Sequence, residues 1–287
     1  MRFIYLTDTH IGANSVGYHQ QPAYPDKITQ LLDTLKNDIS NESVDFVIHG
    51  GDMVDCCQPH NIELANEQFT LPVPTFLCLG NHDLDREDAL DLWMQQASNL
   101  FVNASPNFEI IRHSFVIHVV PNQWQEGYEY YWNESGAQFP HFTNMQVKHV
   151  IKTIEEHPDK NHIIVTHSPV FGMDRGQSGL DNILHSVPVQ FQQTFKNLIN
   201  TYPNVKMVLS GHSHFNTVKQ TRETLFVNVS SFVETPFNYK IIDITDEWIK
   251  IETRQIDKGQ LDFKPLYNKE RAYVQGRNKD RSLLWHF

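Results

Sequence analysis

Five short apolar runs in this 287-residue chain end in side chains that bind metals or move protons. Phe3-Ile4-Tyr5-Leu6 leads into Asp8-Thr9-His10, and Val44 to Ile48 leads into Gly50-Gly51-Asp52. Thr75 to Leu79 stops at Gly80-Asn81-His82-Asp83, Ile163 to Thr166 stops at His167, and Val205 to Leu209 stops at Ser210-Gly211-His212-Ser213-His214. Together they offer two carboxylates (Asp8, Asp52), one amide oxygen (Asn81) and five imidazoles (His10, His82, His167, His212, His214). Such donors suit Mn²⁺, Fe, Zn²⁺ or Mg²⁺, and the lack of cysteine in the set argues against a structural zinc site. Asp-x-His and His-x-His place two side chains on one side of an extended segment, because strand side chains alternate with period two. Eight donors exceed the needs of one ion, and a carboxylate such as Asp52 can bridge two. Taken singly, Asp8, Asp52 and Asn81 read as helix caps or turn residues, and His167 as an ordinary satisfied imidazole. Their recurrence at five strand ends points to a metal centre.

The stretches between these runs have the periodicities needed to position them. A helix is predicted from Asp26, with Ile28, Leu31, Leu32, Leu35 and Ile39 on one face. A polar helix is predicted over about Asn61 to Phe69, and another over Asp85 to Asn99 with Ala89, Leu92 and Trp93 inward. Strand, helix, strand, helix, strand with short connections predicts a parallel sheet, whose ligands bind beyond the C-terminal strand ends. Phe108 to Val120 predicts a hairpin, followed by an aromatic insertion from Pro121 to Phe142. Thr143 and Gln146 form a capping box opening a helix with Val147, Val150, Ile151 and Ile154 on one face. A helix starts near Pro188, with Phe191, Phe195, Leu198 and Ile199 inward. After the last histidine motif the pattern changes to strands without helices: Leu225 to Val229, Tyr239 to Ile244 and Trp248 to Ile251. No internal repeat or low-complexity segment interrupts the chain.

Composition narrows the class. A hydrophobic content of 40% and a charged content of 20% describe a soluble globular chain able to bury a sizeable core. The net charge of −11 argues against a surface that tracks nucleic-acid phosphates. Cys56, Cys57 and Cys78 are odd in number and partly adjacent, which is no disulfide framework and implies a reducing compartment. The N-terminal apolar run is too short for a signal peptide, and no run approaches a bilayer span. The expectation is a cytoplasmic protein without membrane contact.

In order and spacing, the motifs resemble those of the calcineurin-like metallophosphoesterase superfamily: Asp-x-His, Gly-Asp, Gly-Asn-His-Asp/Glu, His and Gly-His-x-His. Here they stand as Asp8-Thr9-His10, Gly51-Asp52, Gly80-Asn81-His82-Asp83, His167 and Gly211-His212-Ser213-His214, over residues 1 to about 245. The resemblance implies an α/β fold, a four-layer α/β/β/α sandwich of two mixed β-sheets flanked by helices. It implies two divalent metal ions (Mn, Fe, Zn or Mg), one held by Asp8, His10, Asp52 and His214, the second by Asp52, Asn81, His167 and His212. It gives His82 a catalytic role, facing the substrate and protonating the leaving oxygen, with Asp83 fixing the ring of His82. The reaction it implies is in-line attack on a phosphoester by a hydroxide bridging the metals. Purple acid phosphatases, a branch of the superfamily, carry a Tyr three residues after the Gly-Asp aspartate. Asp55 stands there in this chain, which argues against an iron-tyrosinate site. Spacing and length are most similar to small bacterial class III phosphodiesterases acting on cyclic nucleotides or glycerophosphodiesters.

The expected partner is therefore a small soluble phosphodiester. The competing readings are a phosphomonoesterase, a nuclease of the Mre11 type, which the acidic charge disfavours, and a metal-binding scaffold without catalysis. Substrate contacts are expected from Gly12 to Pro25, the aromatic insertion and the Phe171 to Val187 loop, whose Arg175 is the candidate phosphate contact. Asp55, His49 and Ser168 lie near the motifs and read as structural, as do His19, His60, His113 and His118. Residues 1–255 are read as the catalytic domain and 256–287 as an extension, with seven Lys/Arg against four Asp/Glu. Its Leu283-Leu284-Trp285 end has two uses open to it, packing on the core or joining another subunit in a homo-oligomer.

Overall fold

The amphipathic periodicities become helices that each bury one stripe. In the computed structural model, which describes residues 1–14, 20–133, 135–136 and 139–287, α1 spans Ile28–Glu42 and buries Ile28, Leu31, Leu32, Leu35 and Ile39. Truncating one of these leucines to Ala leaves a cavity and costs about 2–5 kcal/mol. The other helices are α2 (Pro59–Gln68), α3 (Ala89–Gln96), α4 (Asn144–Glu156), α5 (Arg175–Ser178), α6 (Val189–Thr201) and α7 (Asn278–Arg281). The capping box at α4 forms in full, with the Thr143 hydroxyl accepting from Gln146 N–H and the Gln146 side chain accepting from Thr143 N–H. α3 is shorter than its pattern predicts, because short 3₁₀ turns at His82–Leu84 and Ser98–Leu100 flank it.

Two six-stranded mixed sheets form the centre. In the first, β1 (Arg2–Leu6), β2 (Phe46–His49) and β3 (Thr75–Leu77) are parallel neighbours. The second sheet is built on the hairpin of β4 (Phe108–Ile111) and β5 (Phe115–Val119), followed by β6 (Asn161–Val165) and β7 (Val205–Ser210). β8 (Thr217–Thr221) and β9 (Thr224–Asn228) complete it, in the order β4-β5-β6-β7-β9-β8. β10 (Asn238–Ile244), β11 (Trp248–Gln255) and β12 (Ser282–His286) return antiparallel to the first sheet, in the order β12-β11-β10-β1-β2-β3. β8 eludes the sequence pattern because Thr-Val-Lys-Gln-Thr alternates almost nothing apolar, as suits an edge strand. β12 pairs with β11, packing Leu283 and Trp285 against the core while Leu284 stays 56% exposed.

Alternation along β6 and β9 shows the layering. Ile163, Val165, Leu225 and Val227 enter one large core shared by both sheets, whereas Ile164 and Phe226 enter a second core with α4 and α6. Residues of α1, α2 and α3 join the large core from the side of the first sheet. The result is a four-layer sandwich of helices, two mixed sheets and helices, with the motif residues just past the C-terminal ends of β1, β2, β3, β6 and β7. Among the described residues, no helix is long and apolar enough to cross a membrane. His19 lies outside the described residues, as do parts of the Gly12 to Pro25 loop and of the aromatic insertion.

Candidate metal centre

The motif residues are aimed by turns rather than by strand alternation. Asp8, His10, Asp52, His212 and His214 all have left-handed backbones, with φ of 57°, 43°, 52°, 67° and 54°. Non-glycine residues enter this region at a cost on the order of 1 kcal/mol or more, and such strain clusters at functional sites. Cross-braced backbone bonds hold it: Asp8 N–H donates to Gly51 O at 2.9 Å and His10 N–H to Asp52 O at 3.0 Å. The period-two expectation for Asp-x-His and His-x-His thus gives way to paired left-handed residues that converge. Two glycines are required by close approach: a Cβ on Gly51 (φ 109°) would strike the His167 ring, and one on Gly80 would strike the Asp52 carboxylate.

The side chains come together in two overlapping groups. In one, His214 Nε2 lies 3.4 Å from Asp8 Oδ1 and 3.3 Å from His10 Nε2. His10 Nε2 is in turn 3.9 Å from both Asp8 Oδ1 and Asp52 Oδ2. In the other, His167 Nε2 lies 3.0 Å from Asp52 Oδ2, and His212 Nδ1 lies 2.9 Å from Asn81 Oδ1. A cation bound at about 2.1 Å by adjacent donors places those donors about 3–3.5 Å apart, so the spacing fits. Asp8-His10-His214 and Asp52-His167-His212 each offer atoms within 4.8 Å of one another. His167 supplies the sharpest test. Its Nδ1 donates to the Gly50 carbonyl at 2.8 Å, which leaves Nε2, in a fully buried position, to face the Asp52 carboxylate at 3.0 Å. With a proton on Nε2 the two form an ion pair; without it two acceptors face each other, and a cation can take the proton's place.

The electrostatics agree. Burial pushes Asp8 upward, but His214 and His167 outweigh it and bring it to about 2. Asp52 is likewise held well below the carboxylate range, burial being overcome by His167 and His82. Burial lowers the imidazole of His167, yet Asp52 and Asp8 raise it to about 9. His214 is raised well above its ordinary value by Glu234 and Asp8 against desolvation. His212 falls to about 3 from burial and the neighbouring His167. The buried carboxylates therefore draw positive charge onto His167 and His214, while burial keeps His212 neutral.

Supporting residues fix the tautomers and positions. His214 Nδ1 donates to Glu234 Oε1 at 2.6 Å, and Glu234 also accepts from Gln21 N–H at 2.9 Å. Sequence reasoning missed Glu234, because a glutamate following Ser-Ser-Phe-Val carries no motif. The Asp83 carboxylate, expected to fix the ring of His82, accepts instead from Val54 N–H and Gly80 N–H, pinning two motif loops together. The His82 ring is held instead by the Asp55 carbonyl, at 2.7 Å from Nδ1. Asp55, read as structural, thereby enters the site, its carboxylate 3.4 Å from His10 Nδ1. Its only sequence signal is its place three residues after Asp52. His49, also read as structural, is buried and joins Thr9 Oγ1 and Gly51 N–H at 3.0 and 3.2 Å. Ser168 N–H donates to Asn122. The aromatic insertion lays Trp124 beside His212 and Trp132 beside His82, with ring centroids 5.2 and 4.9 Å apart. Both tryptophans are buried and act as packing walls for imidazoles. Arg175 is exposed on the one-turn helix α5, whose Asp174 pairs with Arg277.

Comparison with known proteins places this fold and pocket in a family. The model of the calcineurin-like phosphoesterase family matches residues 1–216, and the chain belongs to that family. Among solved structures, a dimetal phosphatase from Danio rerio superposes with a TM-score of 0.67 at 14% identity, over 88% of this chain and 96% of that one. GAP50, the anchor in the inner membrane complex of Plasmodium, superposes with a TM-score of 0.63 at 13% identity, over 95% and 90%. Purple acid phosphatase PPD1 from yellow lupin seeds gives 0.59 at 14% identity, over 91% of this chain and 52% of the other. At these identities the likeness is one of fold. No curated protein matches the chain.

Proposed function

We propose that the chain is a dinuclear-metal phosphodiesterase acting on a small soluble phosphodiester of the cyclic-nucleotide or glycerophosphodiester type, as in the bacterial class III enzymes. The observation that carries this reading is the paired donor set around Asp52, with His82 standing half-exposed beside it. Asp8, His10, Asp52 and His214 would hold one ion, and Asp52, Asn81, His167 and His212 the other. Bound there, the ions supply Lewis acidity toward phosphoryl oxygens and an activated water. The remaining work falls to the protein. His82 Nδ1–H is committed to the Asp55 carbonyl, which leaves Nε2 as the nitrogen that meets the ester. Desolvation lowers the His82 pKa, but Asp52 and the Asp55 carbonyl outweigh it and raise it, so the ring keeps a proton for the leaving oxygen. Trp132 covers one side of that ring against water. His82 N–H donates to Asp52 Oδ1 at 2.8 Å, tying the proton donor to the shared carboxylate.

The phosphate contact assigned to Arg175 is kept as part of the proposal. Cys56, Cys57 and Cys78 are all unpaired, which supports a cytoplasmic setting. The test is turnover of bis-p-nitrophenyl phosphate against p-nitrophenyl phosphate, after chelation and re-addition of Mn²⁺. Metal-restored preference for the diester supports the reading. A preference for the monoester replaces it with a phosphatase, and metal binding with turnover of neither replaces it with a scaffold.

A further inference from the structure

The acids of the pocket differ in where their charge points. Asp8 and Asp52 expose 3% or less of their side chains and are met by His214 and His167. The Asp55 side chain is 36% exposed at the rim, beside the 30%-exposed His82, with Oδ1 3.9 Å from His82 Nδ1 and 3.4 Å from His10 Nδ1. Its backbone is fixed on both sides, since its N–H donates to Ile11 O and its carbonyl accepts from His82. A carboxylate thus stands at the exposed rim of the centre, beside the ring assigned to meet the ester.

That charge acts differently on the two classes of phosphoester. A diester carries one negative charge, whereas a monoester carries nearly two above about pH 6. On the reading of the centre as a phosphodiesterase, we propose that Asp55 sets its specificity, admitting monoanionic diesters and rejecting dianionic monoesters, including the enzyme's own product. Hydrolysis joins a water oxygen to phosphorus, breaks the bond to one ester oxygen and delivers a proton to that oxygen. The monoester formed then loses its second proton to solvent and becomes the dianion that the rim carboxylate repels. One residue therefore discourages monoesters, speeds product release and stops the reaction after one cleavage.

Asp55→Asn keeps the size and polarity of the side chain and removes the charge; Asp55→Ala removes both. In the Mn²⁺-loaded protein, the ratio of kcat/KM for bis-p-nitrophenyl phosphate to that for p-nitrophenyl phosphate is expected to fall about tenfold in Asp55→Asn, the order of one exposed charge opposing another. Run to completion on the diester, the wild type should release one nitrophenol per substrate and Asp55→Asn should approach two. Calorimetric binding of phenylphosphonate and its monomethyl ester at about pH 8 should show the same shift in preference toward the dianion. An unchanged ratio with unchanged binding preference in Asp55→Asn, or equal losses on both substrates in both variants, overturns the role of Asp55 and leaves the diesterase reading standing. Failure of the wild type to cleave the diester removes that reading, and the phosphonate pair then decides on Asp55 by itself.

Discussion

Strand β6 carries two buried histidines that behave in opposite ways. His162 lies within the strand and His167 two residues past its end, and both are fully buried. Desolvation drives His162 down to about 4, while His167 is raised to about 9 because Asp52 and Asp8 outweigh the same desolvation. His162 faces its like: its Nδ1 accepts from His118 Nε2–H at 2.9 Å, and its Nε2–H donates to the His157 carbonyl at 3.1 Å. His118 falls to about 3 through burial and the adjacent His162. Burial alone makes an imidazole a neutral packing group. Buried carboxylates let it hold a positive charge, a proton or a metal ion in the proton's place, and this difference separates the candidate centre from an ordinary polar core.

The widest gap between the two groups should appear in activity. Asp52→Asn removes the carboxylate common to both donor sets. With several kcal/mol of charge stabilisation at stake, kcat on the preferred phosphoester should fall on the order of a thousandfold. Metal content measured by elemental analysis should fall below two ions per chain. Retention of both ions and near-normal turnover would show that Asp52 is not the shared ligand. Substitution at His162 should leave turnover per folded molecule intact.

Acid should next separate the groups by stability. His118 and His162 have folded values of about 3 and 4 against about 6.5 in the unfolded chain, so unfolding takes up protons between these limits. Stability from this pair is complete above pH 6.5 and is lost as pH falls toward 4. The slope approaches roughly 2.7 kcal/mol per pH unit when both titrate on unfolding. In the metal-free protein His167 has the opposite sign: its contribution is full below pH 6.5 and is lost as pH rises through about 9. Urea unfolding of chelated protein across this range reads both limbs. A flat profile between pH 4 and 6.5 would mean that the buried pair titrates as it does in water.

A smaller effect tests the support beneath the centre. Glu234→Gln keeps an acceptor for His214 Nδ1–H but removes a buried charge, and loss of such a partner typically costs 10–100-fold in metal affinity or activity. Metal titration with a competing chelator measures it. An unchanged affinity would make Glu234 a packing residue.

How much of this was legible beforehand depended on where each residue sits. Asp8, His10, Asp52, Asn81, His82, His167, His212 and His214 stood out because each interrupts an apolar strand at its C-terminal end, where α/β sheets collect polar groups. The main helices and most strands followed from periodicity, and their arrangement into two mixed sheets from the family resemblance. Glu234 and Asp55 did not stand out, since both reach the site through loop geometry; no motif marks Glu234, and only its place three residues after Asp52 marks Asp55. The left-handed turns were also hidden: spacing of two residues suggested alternation, whereas φ is set by cross-braces from Gly51 and Asp52 that only the fold creates. β8 was invisible because an edge strand needs no apolar alternation.

The finest test asks whether the His118–His162 pair holds the fold together or merely satisfies itself. His162→Leu alone strands His118 Nε2–H in a dry core, and His118→Leu alone strands His162 Nδ1. Each should cost about 1–3 kcal/mol, the penalty of a buried group left without a partner. Replacing both should cost less than the sum, because no stranded group remains and because His118 Nδ1 already lacks a partner. The double-mutant cycle should therefore return a coupling of about 1–2 kcal/mol. The double variant should also show a shallower acid slope between pH 4 and 6.5, by the share of these two rings; His212 and His49, both lowered to about 3, carry the rest. Additive costs with the slope unchanged would show that neither ring depends on the other. The contrast along β6 would then rest on His167 and its carboxylates alone.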